Sequence, residues 1–288
     1  MKKLIVATRG SRLALAQTHI VCGLLKEAGV ETEVRTITTA GDRDRIHALV
    51  KIGGRGIFVR EIERELLSGE ADIAVHSAKD LPYQLAQGLV IAGTPRGADP
   101  RDALVLLRDK ELREGNVVGT GSPRRIREFS RQRPDLQFRD IRGNVTTRLH
   151  KLERGEYDAI VLAMAGIERL ELDMGRFQVI PFSPEEVIPA GCQGIIGVEC
   201  RTQDRELVRL LRQLSDPETW RRFRWERQLF CAMKVDCSCP VGIHCRLLPG
   251  ERMELMAMVD GKRARRMGKE KDGQALCQSL KEELYDRH

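Results

Sequence analysis

Residues 116–165, "NVVGTGSPRRIREFSRQRPDLQFRDIRGNVTTRLHKLERGEYDAIVLAMA", decide the fold. "NVVGT", "LQFRDI" and "YDAIVLAMA" are short apolar or alternating runs typical of strands, and the two segments between them are typical of helices. Ser122 is placed to cap the first of these helices, with Pro123 in its first turn. Strands that alternate with helices predict a mostly parallel sheet covered by helices, so the expected fold class is α/β.

The start of the chain repeats this alternation. "KLIVAT" (3–8) predicts a strand, and a helix follows from Ser11 to about Ala28, where Gly29 ends it. In "VETEVRTITT" apolar and polar residues alternate as in a strand with one solvent-exposed face. "GIFVREIERELL" has helical spacing, and "ADIAVHS" has the apolar run of a buried strand. Because 288 residues exceed what one hydrophobic core usually serves, we expect these elements to form a separate domain.

Two turn-rich stretches suggest where the domains meet. "GTPRGADPRD" (93–102) and "IPFSPEEVIPAGCQG" (180–194) predict crossovers between two α/β domains. From about residue 214 the pattern changes to a helix, a cysteine-rich stretch, shorter strands and a final helix. The expected division is domain 1 at residues 1–93 and 190–212, domain 2 at residues 94–189, and a smaller α+β domain 3 at residues 213–288.

The composition is basic and rich in arginine. The net charge is +7, carried by 37 Arg and 12 Lys against 42 Asp and Glu. Arginine has a planar fork that fits carboxylate and phosphate, so the composition indicates a nucleic acid or a polyanionic small molecule as ligand. Aromatic residues make up only 4%, which is few for stacking on single-stranded bases. The apolar run at the start ends before Arg9, which argues against secretion, so a cytoplasmic protein with reduced cysteines is expected.

Basic and hydroxyl residues follow most of the predicted strands. In open parallel sheets, ligands bind beyond the carboxyl ends of the strands, and helix N-termini attract anions. The residues at these positions are Arg9, Ser11, Lys79, Asp80, Gly121, Ser122, Arg124, Arg125, Arg142, Gly143, Asn144, Arg148 and Arg169. They predict a site for a ligand with several carboxylates or phosphates, held between two domains, with Asp80 available for proton transfer.

Two other stretches leave alternatives open. "KIGGRGIFVRE" (51–61) lacks the GKS or GKT ending of a phosphate-binding loop, so it is either an ordinary loop or a lid in which Phe58 starts the next helix. "VDCSCPVGIHC" (235–245) has irregular spacing for a zinc site, although Cys231, His244 and Cys245 would complete a ligand set. Ordinary reduced thiols and a redox pair are the other interpretations, and spacing alone does not predict a covalent attachment.

The chain resembles the porphobilinogen deaminases, also called hydroxymethylbilane synthases, of tetrapyrrole biosynthesis. The resemblance covers nearly the whole chain and rests on these stretches, in order: "VATRGSRLALAQ", "KIGGRGIFVREIE", "ADIAVHSAKDLP", "DPRDAL", "VVGTGSPRR", "RGNVTTRL", "GEYDAIVLAMAG" and "IPAGCQGIIGVEC". It implies two periplasmic-binding-protein-like α/β domains with a smaller α+β third domain. It also implies an enzyme that joins four porphobilinogen units head to tail, releasing ammonia each time, to give the linear tetrapyrrole hydroxymethylbilane for haem biosynthesis.

The resemblance also implies roles for individual residues. Asp80 would be the catalytic carboxylate, which hydrogen-bonds pyrrole N–H groups, assists the loss of ammonia and stabilises the cationic azafulvene. A dipyrromethane cofactor would be held by a thioether to Cys237 in "CSCPVG", with Cys239 as an extra thiol. The other implied cofactor-binding residues are Ser11, Lys79, Asp80, Thr120, Ser122, Arg124, Arg125, Arg142 and Gly143. The implied substrate-binding residues are Arg9, Ser11, Phe58, Arg142, Arg148 and Arg169, with Phe58 in a mobile lid.

Two other classes of function remain as alternatives. A two-domain solute-binding or regulatory protein for a polycarboxylate would need neither Asp80 nor an attachment cysteine, and a nucleic-acid binder ranks third. For the enzyme, the expected partners are porphobilinogen and the growing polypyrrole chain. We expect a monomer that uses no metal and binds neither nucleic acid nor membrane.

Overall fold

The computed structural model describes residues 3–38, 59–234 and 239–285 of the chain. By its internal contacts the chain divides into two compact units, Met1–Gly97 with Ile195–Arg224 and Ala98–Gly194 with Trp225–His288. The last boundary falls inside a single helix, Pro217–Met233. The division into three domains stays a prediction, because these units group the chain differently.

The first unit contains one five-stranded sheet. Its strands are Leu4–Arg9 (β1), Thr32–Ile37 (β2), Ile73–Ser77 (β3), Leu89–Gly93 (β4) and Ile196–Arg201, which is β10 in chain order. The strand order is β2-β1-β3-β10-β4, with β1 parallel to both β2 and β3. β10 is antiparallel to both of its neighbours, so four strands run one way and one runs back.

Helices cover both faces of this sheet. They are Arg12–Glu27 (α1), Arg60–Leu67 (α2) and Arg205–Gln213, which is α6 in chain order. Val21 and Leu25 of α1 pack with Ile73 in one buried cluster, and Leu66 of α2 packs with Ala74 in another. Burying a leucine side chain contributes about 1.5–3 kcal/mol, so these two apolar faces hold α1 and α2 against the sheet.

The second unit contains a sheet with the same pattern of directions. Its strands are Asp102–Leu107 (β5), Val117–Gly119 (β6), Gln137–Arg139 (β7), Ala159–Ala163 (β8) and Phe177–Pro181 (β9). The order is β7-β6-β8-β5-β9, in which β6 is parallel to β7 and β8 while β5 is antiparallel to β8 and β9. The helices of this part are Pro123–Gln132 (α3), Val145–Glu153 (α4) and Met164–Arg169 (α5).

A smaller antiparallel sheet follows in the same unit. Its strands Val241–Leu248 (β11), Arg252–Val259 (β12) and Lys262–Lys269 (β13) pair in sequence order. Its core includes residues of two helices, Pro217–Met233 (α7) and Gly273–Tyr285 (α8), with Leu229, Ile243, Leu255 and Leu280 all 0% exposed. The Ile243 N–H donates to the carbonyl of Pro189 at 2.9 Å, which joins this sheet to the segment after β9.

The expected α/β class is confirmed, with one correction of detail in each large sheet. "DALVLL" forms the predicted strand β5, but β5 and β10 each run against the other four strands of their sheets. The predicted first helix is found at Arg12–Glu27, with Ser11 as its cap. Among the described residues, no helix has the length and apolar content needed to cross a bilayer.

Candidate active site

The first predicted site residues lie where β1 leads into α1. Arg9 is the last residue of β1, and Ser11 adopts the extended conformation of a helix cap, with φ −71° and ψ 146°. The hydroxyl of Ser11 accepts the N–H of Ala14 at 3.3 Å, which satisfies one of the unpaired donors of the first turn. Arg9 and Ser11 are both half-buried. The local sequence therefore fixes both residues at the carboxyl end of β1.

Lys79 and Asp80 lie at the carboxyl end of the neighbouring strand. They belong to a single 3₁₀ turn, Ala78–Asp80, directly after β3. Ala78 and Leu81, on either side of them, are only 2% and 1% exposed, whereas Lys79 and Asp80 are half-buried. Since the turn is anchored through its buried residues, the carboxylate of Asp80 is held at the surface of the first unit.

A reciprocal pair of hydrogen bonds ties α1 to the end of β3. The amide of Gln17 donates to the hydroxyl of Ser77 at 2.9 Å, and this hydroxyl donates back to the Gln17 carbonyl oxygen at 3.0 Å. Because β1 and β3 are parallel neighbours, their carboxyl ends share one edge of the sheet. The structure thus places Arg9, Ser11, Lys79 and Asp80 along one edge of the first unit.

A buried ionisable cluster lies beneath this edge, and the sequence argument missed it. His76 Nε2 of β3 lies 2.9 Å from Glu199 Oε2 of β10, and the two side chains are 5% and 0% exposed. Glu63 of α2 is nearby: burial raises its pKa, the charge of Glu199 adds to that rise, and the N–H of Ala86 and the charge of His76 oppose it. The only signal in the sequence was an ionisable residue inside each of two apolar strands.

The second unit presents its predicted residues first at the start of α3. Ser122 caps this helix by accepting the N–H of Arg125 at 3.4 Å, with Pro123 in the first turn as expected. The hydroxyl of Thr120 accepts the N–H of Ser122 at 3.3 Å, and Thr120 itself is 1% exposed. Thr120 therefore supports the turn from which the helix begins.

The guanidinium groups of Arg124 and Arg125 turn inward and share one buried carboxylate. Arg124 Nη2 lies 2.7 Å from Asp102 Oδ2, and Arg125 Nη2 lies 2.8 Å from Asp102 Oδ1. Gln193 also donates to Asp102 Oδ1, at 2.9 Å. Arg124 and Arg125 further donate to the carbonyls of Ile188 and Val161 at 2.8 and 3.0 Å. Both guanidinium groups are thus bound to acceptors inside the second unit, with donors left over.

Asp102 is the residue of this group that the sequence argument did not single out. Burial would raise its pKa, but the charges of Arg124 and Arg125, with hydrogen bonds from Gln193 and Arg125, outweigh burial and hold the pKa well below its ordinary value. Burial lowers the pKa of Arg124, against the attraction of Asp102. The carboxylate is therefore an ionised counter-ion inside the second unit.

Arg142, Gly143 and Arg148 form the next part of the site, around the start of α4. Arg142 is exposed, and its Nε lies 2.7 Å from Asp140 Oδ2. Gly143 has φ +116°, and a Cβ there would lie 2.7 Å from the Thr147 side chain, so this position requires glycine. The Nε of Arg148 donates to the Gly143 carbonyl at 2.8 Å. This loop therefore presents two guanidinium groups at the start of one helix.

Burial lowers the pKa of Arg148 to about 10, with Arg125 and Arg142 lowering it further and Asp140 raising it. Arg148 contacts the Gly143 carbonyl, and Arg142 next to Gly143 pairs with Asp140, so these groups belong to one loop of the second unit. No carboxylate within the described ranges forms an ion pair with Arg148. Its guanidinium is therefore a place where an added carboxylate would be stabilised.

Arg169 lies apart from these residues in sequence, at the last position of α5. Its Nη2 donates to the carbonyl of Gly194 at 2.5 Å. Burial lowers the pKa of Arg169 to about 10, and the charge of Glu168 opposes this. Gly194 has φ +82°, and a Cβ there would lie 2.5 Å from the Ala98 carbonyl oxygen. The close approach of these backbone segments positions the carbonyl that holds Arg169.

The described part of the cysteine stretch contributes to the core of the small sheet. Cys245 is 0% exposed, and its N–H donates to Glu226 at 2.9 Å. The half-buried Cys239 packs against the same core. Within the described ranges, no group of three or more His, Cys, Asp or Glu has the arrangement of a metal site. Cys237 and Phe58, with the loop before Phe58, lie outside the described residues.

Most of the other cysteines are buried thiols. Burial raises the pKa of Cys200 to about 12 and that of Cys277 to about 11, so neither thiolate is readily available as a nucleophile. Cys192 is 3% exposed. None of the seven cysteines that the structure describes takes part in a disulfide. The thiols of these buried positions are therefore poor candidates for covalent attachment.

A cavity lies in another part of the second unit. It has a volume of about 410 Å³ and is lined by apolar residues of β5 and β9, including Leu104, Leu106 and Ile180, with Lys110 and Arg133. Its lining contains none of the predicted site residues. The site chemistry described above therefore does not depend on this cavity.

Taken by chemistry, the predicted residues form two sets. The first unit supplies a half-buried carboxylate with a lysine, an arginine and a hydroxyl on one sheet edge. The second unit supplies guanidinium groups at the starts of two helices, of which Arg142 and Arg148 are the least committed to buried protein carboxylates. Taken by itself, the set in the second unit suits a ligand with several carboxylates, and the set in the first unit supplies an ionisable acid.

Comparison with known proteins agrees with this chemistry. Residues 4–209 match the family model described as "Porphobilinogen deaminase, dipyromethane cofactor binding domain". A porphobilinogen deaminase of Roseiflexus castenholzii is 44% identical over 98% of this chain and 96% of its own length. One of Streptococcus sanguinis is 40% identical over 100% of this chain and 97% of its own length.

Solved structures give a much more distant likeness. A substrate binding domain of a putative amino acid ABC transporter from Streptococcus pneumoniae has a TM-score of 0.47 and 11% identity, covering 74% of this chain and 91% of that one. At this distance the likeness says nothing about what the chain binds. The sequence matches, by contrast, extend over nearly the full length of both partners, and on that basis the chain belongs to the porphobilinogen deaminase family.

Proposed function

We propose that this chain is a transferase that joins four porphobilinogen units head to tail, with release of ammonia, to give hydroxymethylbilane in porphyrin and haem biosynthesis. The observation that carries the proposal is the match of residues 4–209 to the family model, supported by full-length relatives at 40–44% identity. These matches favour the enzyme over the polycarboxylate-binding alternative.

Asp80 is the proposed catalytic carboxylate. Its turn is anchored by the buried Ala78 and Leu81, while the carboxylate itself is half-buried at the end of β3. There it accepts hydrogen bonds from pyrrole N–H groups and stabilises the positive charge that develops on the substrate as the carbon–nitrogen bond breaks. The protonated amine departs as ammonia, and the freed carbon forms a bond to the α-carbon of the neighbouring ring. The proton of that α-carbon is then released, which restores the aromatic ring.

The arginines are proposed to bind the acetate and propionate groups. Arg142, Arg148 and Arg169, with Arg9, Ser11 and Phe58, are assigned to the substrate. Arg142 is exposed and Arg148 has no carboxylate partner within the described ranges, so both have capacity for a ligand carboxylate. Charge-assisted hydrogen bonds of this kind are each worth about 1.5–3 kcal/mol where water is excluded.

The residues present also fit the dipyrromethane group that the family model names. The proposed donors to it are hydroxyl, cationic and backbone groups of Ser11, Lys79, Thr120, Ser122, Arg124, Arg125, Arg142 and Gly143. The carboxylate of Asp80 is the proposed acceptor, and Cys237 the proposed point of covalent attachment. When bound, the group supplies the ring carbon to which the first substrate unit is joined. Since Asp102 already pairs with Arg124 and Arg125, these two arginines together provide about one net positive charge toward it.

The proposal also covers the compartment, the oligomeric state and the partners. The enzyme is a cytoplasmic monomer whose partners are porphobilinogen and the growing polypyrrole chain, without nucleic acid or membrane.

The test combines turnover with mass. Purified protein is incubated with porphobilinogen, and ammonia and hydroxymethylbilane are measured; the intact mass of the untreated protein is compared with the sequence mass. We expect four ammonia molecules per tetrapyrrole and a mass excess of one dipyrromethane unit. No turnover of porphobilinogen, together with a mass equal to that of the sequence, would refute the proposed function.

A further inference from the structure

Asp140 is an acidic residue inside the basic part of the site, and it has no role in the account above. Its Oδ2 lies 2.7 Å from Arg142 Nε, and the two side chains are 52% and 58% exposed. The residue directly follows β7 and precedes the loop in which Arg142 and Gly143 lie. A carboxylate therefore already pairs with a guanidinium that is assigned to the ligand.

The position of Asp140 is set by contacts on both sides. The hydroxyl of Tyr157 donates to the Asp140 backbone carbonyl at 2.7 Å, which fixes the main chain. A Cβ on Gly121 would lie only 2.3 Å from Asp140 Oδ1, so the carboxylate lies against the turn that leads into α3. The start of a helix favours a negative charge. The side chain thus lies next to the turn that leads into α3 and forms an ion pair with Arg142.

The charges around Asp140 single it out. Arg124 and Arg125 already have Asp102 as a buried counter-ion, which leaves Arg142 and Arg148 as the cations of this region with capacity for a new carboxylate. Asp140 interacts electrostatically with Arg148 and forms an ion pair with Arg142. Because the Arg142–Asp140 pair is exposed, it is weak enough to exchange for another carboxylate.

We propose that Asp140 determines the strength of carboxylate binding, as an internal counter-ion that an acetate or propionate group displaces from Arg142. The inference rests on the proposed function for the identity of the ligand, but its chemistry requires only a polycarboxylate. Displacement costs the Arg142–Asp140 pair and brings two carboxylates close together. Asp140 thereby weakens binding, which allows the carboxylates of a growing chain to leave Arg142 again.

The test replaces the charge and keeps the shape. Asp140→Asn and wild-type holoenzyme are titrated by calorimetry with benzenehexacarboxylate, and the KM for porphobilinogen is measured alongside. We expect the Kd of the variant to be about 1.5- to 5-fold lower than that of the wild type, the range of exposed ion pairs. The KM should fall in the same direction, kcat should not rise, and the Tm should stay unchanged.

Asp135→Asn is the matched control. Asp135 also pairs with an arginine two residues away, Arg133, at 2.7 Å, but this pair is not part of the proposed site. The control should leave the Kd unchanged. Arg142→Gln is also introduced into wild type and into Asp140→Asn. These two proteins should have equal Kd values, because neither contains the Arg142–Asp140 pair.

A Kd for Asp140→Asn equal to or higher than that of wild type would overturn the inference. An equally lowered Kd in Asp135→Asn, or no binding of benzenehexacarboxylate to wild type, would also overturn it. Failure of the proposed function looks different: wild type would bind the hexacarboxylate but not consume porphobilinogen. In that case the role of Asp140 is still decided by the two Kd values.

Discussion

Asp102 and Arg124 form an ion pair in the interior of the second unit, with Arg124 Nη2 2.7 Å from Asp102 Oδ2 and the side chains 6% and 0% exposed for Arg124 and Asp102. Arg125 binds the other oxygen of the same carboxylate, so one aspartate holds two adjacent arginines at the start of α3. Asp102 therefore fixes the positions of Arg124 and Arg125, the two arginines that the family resemblance assigns to the cofactor.

Replacing Asp102 by Asn should destabilise the protein strongly. The change leaves two buried guanidinium groups without their counter-ion, which costs about 3–5 kcal/mol in the free energy of unfolding. Urea unfolding followed by circular dichroism measures this. Asp135→Asn, at a half-buried pair with a single arginine, should have a smaller effect. A variant within about 1 kcal/mol of wild type would show that the buried pair is not stabilising.

Acid should weaken wild type more than it weakens Asp102→Asn. The pKa of Asp102 is depressed in the folded state, so its contribution is complete above the unfolded pKa of about 3.9 and is lost as the pH falls toward the folded pKa. Unfolding free energies measured between about pH 5 and pH 2 should therefore decline more steeply for wild type. Parallel curves for the two proteins would contradict this assignment of the pH dependence.

Asp80→Asn should remove turnover while the fold remains intact. The amide keeps the shape but loses the charge and the capacity for proton transfer, and each of these effects is worth roughly 10²–10³-fold in rate. Ammonia release from porphobilinogen measures kcat, and circular dichroism checks the fold. Asp109→Asn, at an exposed surface position, serves as control. Activity within about threefold of wild type would exclude Asp80 from the mechanism, since the loss expected is far larger.

Arg142→Leu should stall chain growth without unfolding the protein. The guanidinium is exposed and its partner is the exposed Asp140, so the fold does not depend on it. Mass spectrometry of the enzyme during turnover should show an altered distribution of bound pyrrole units. Arg176→Leu is the control, because Arg176 also pairs with a carboxylate, Glu153, at the surface. A normal distribution with normal turnover in Arg142→Leu would argue against a role in binding.

Cys237→Ala should abolish the mass excess of one dipyrromethane unit, and all activity with it. Cys239→Ala should keep both, because Cys239 is half-buried and packs against the core of the small sheet. Intact-mass measurement of both variants tests the assignment, and chelator treatment should change neither mass nor activity. The reverse result, with the adduct lost only in Cys239→Ala, would move the attachment by two residues.

Local features of the fold were predictable because their causes are local. Ser11 and Ser122 were identified as helix caps from sequence, and each accepts an N–H of its own helix three residues on. The strand–helix alternation gave the α/β class for the same reason, since period and turn residues act over short stretches. The reversed direction of β5 and β10 was not predicted, because an apolar run has the same pattern in either direction.

The sequence by itself determined which residue types lie at the carboxyl ends of the strands. It therefore determined that the site is basic and that Asp80 follows a buried strand. Only the tertiary structure decided which arginines are already occupied. Asp102 is 23 residues from Arg125, and Gln193 is 91 residues from Asp102, so no local pattern links them. The strength of a charge pair depends on distance and burial, which are properties of the packed chain, and so Arg124 and Arg125 are buried with a counter-ion whereas Arg142 remains exposed.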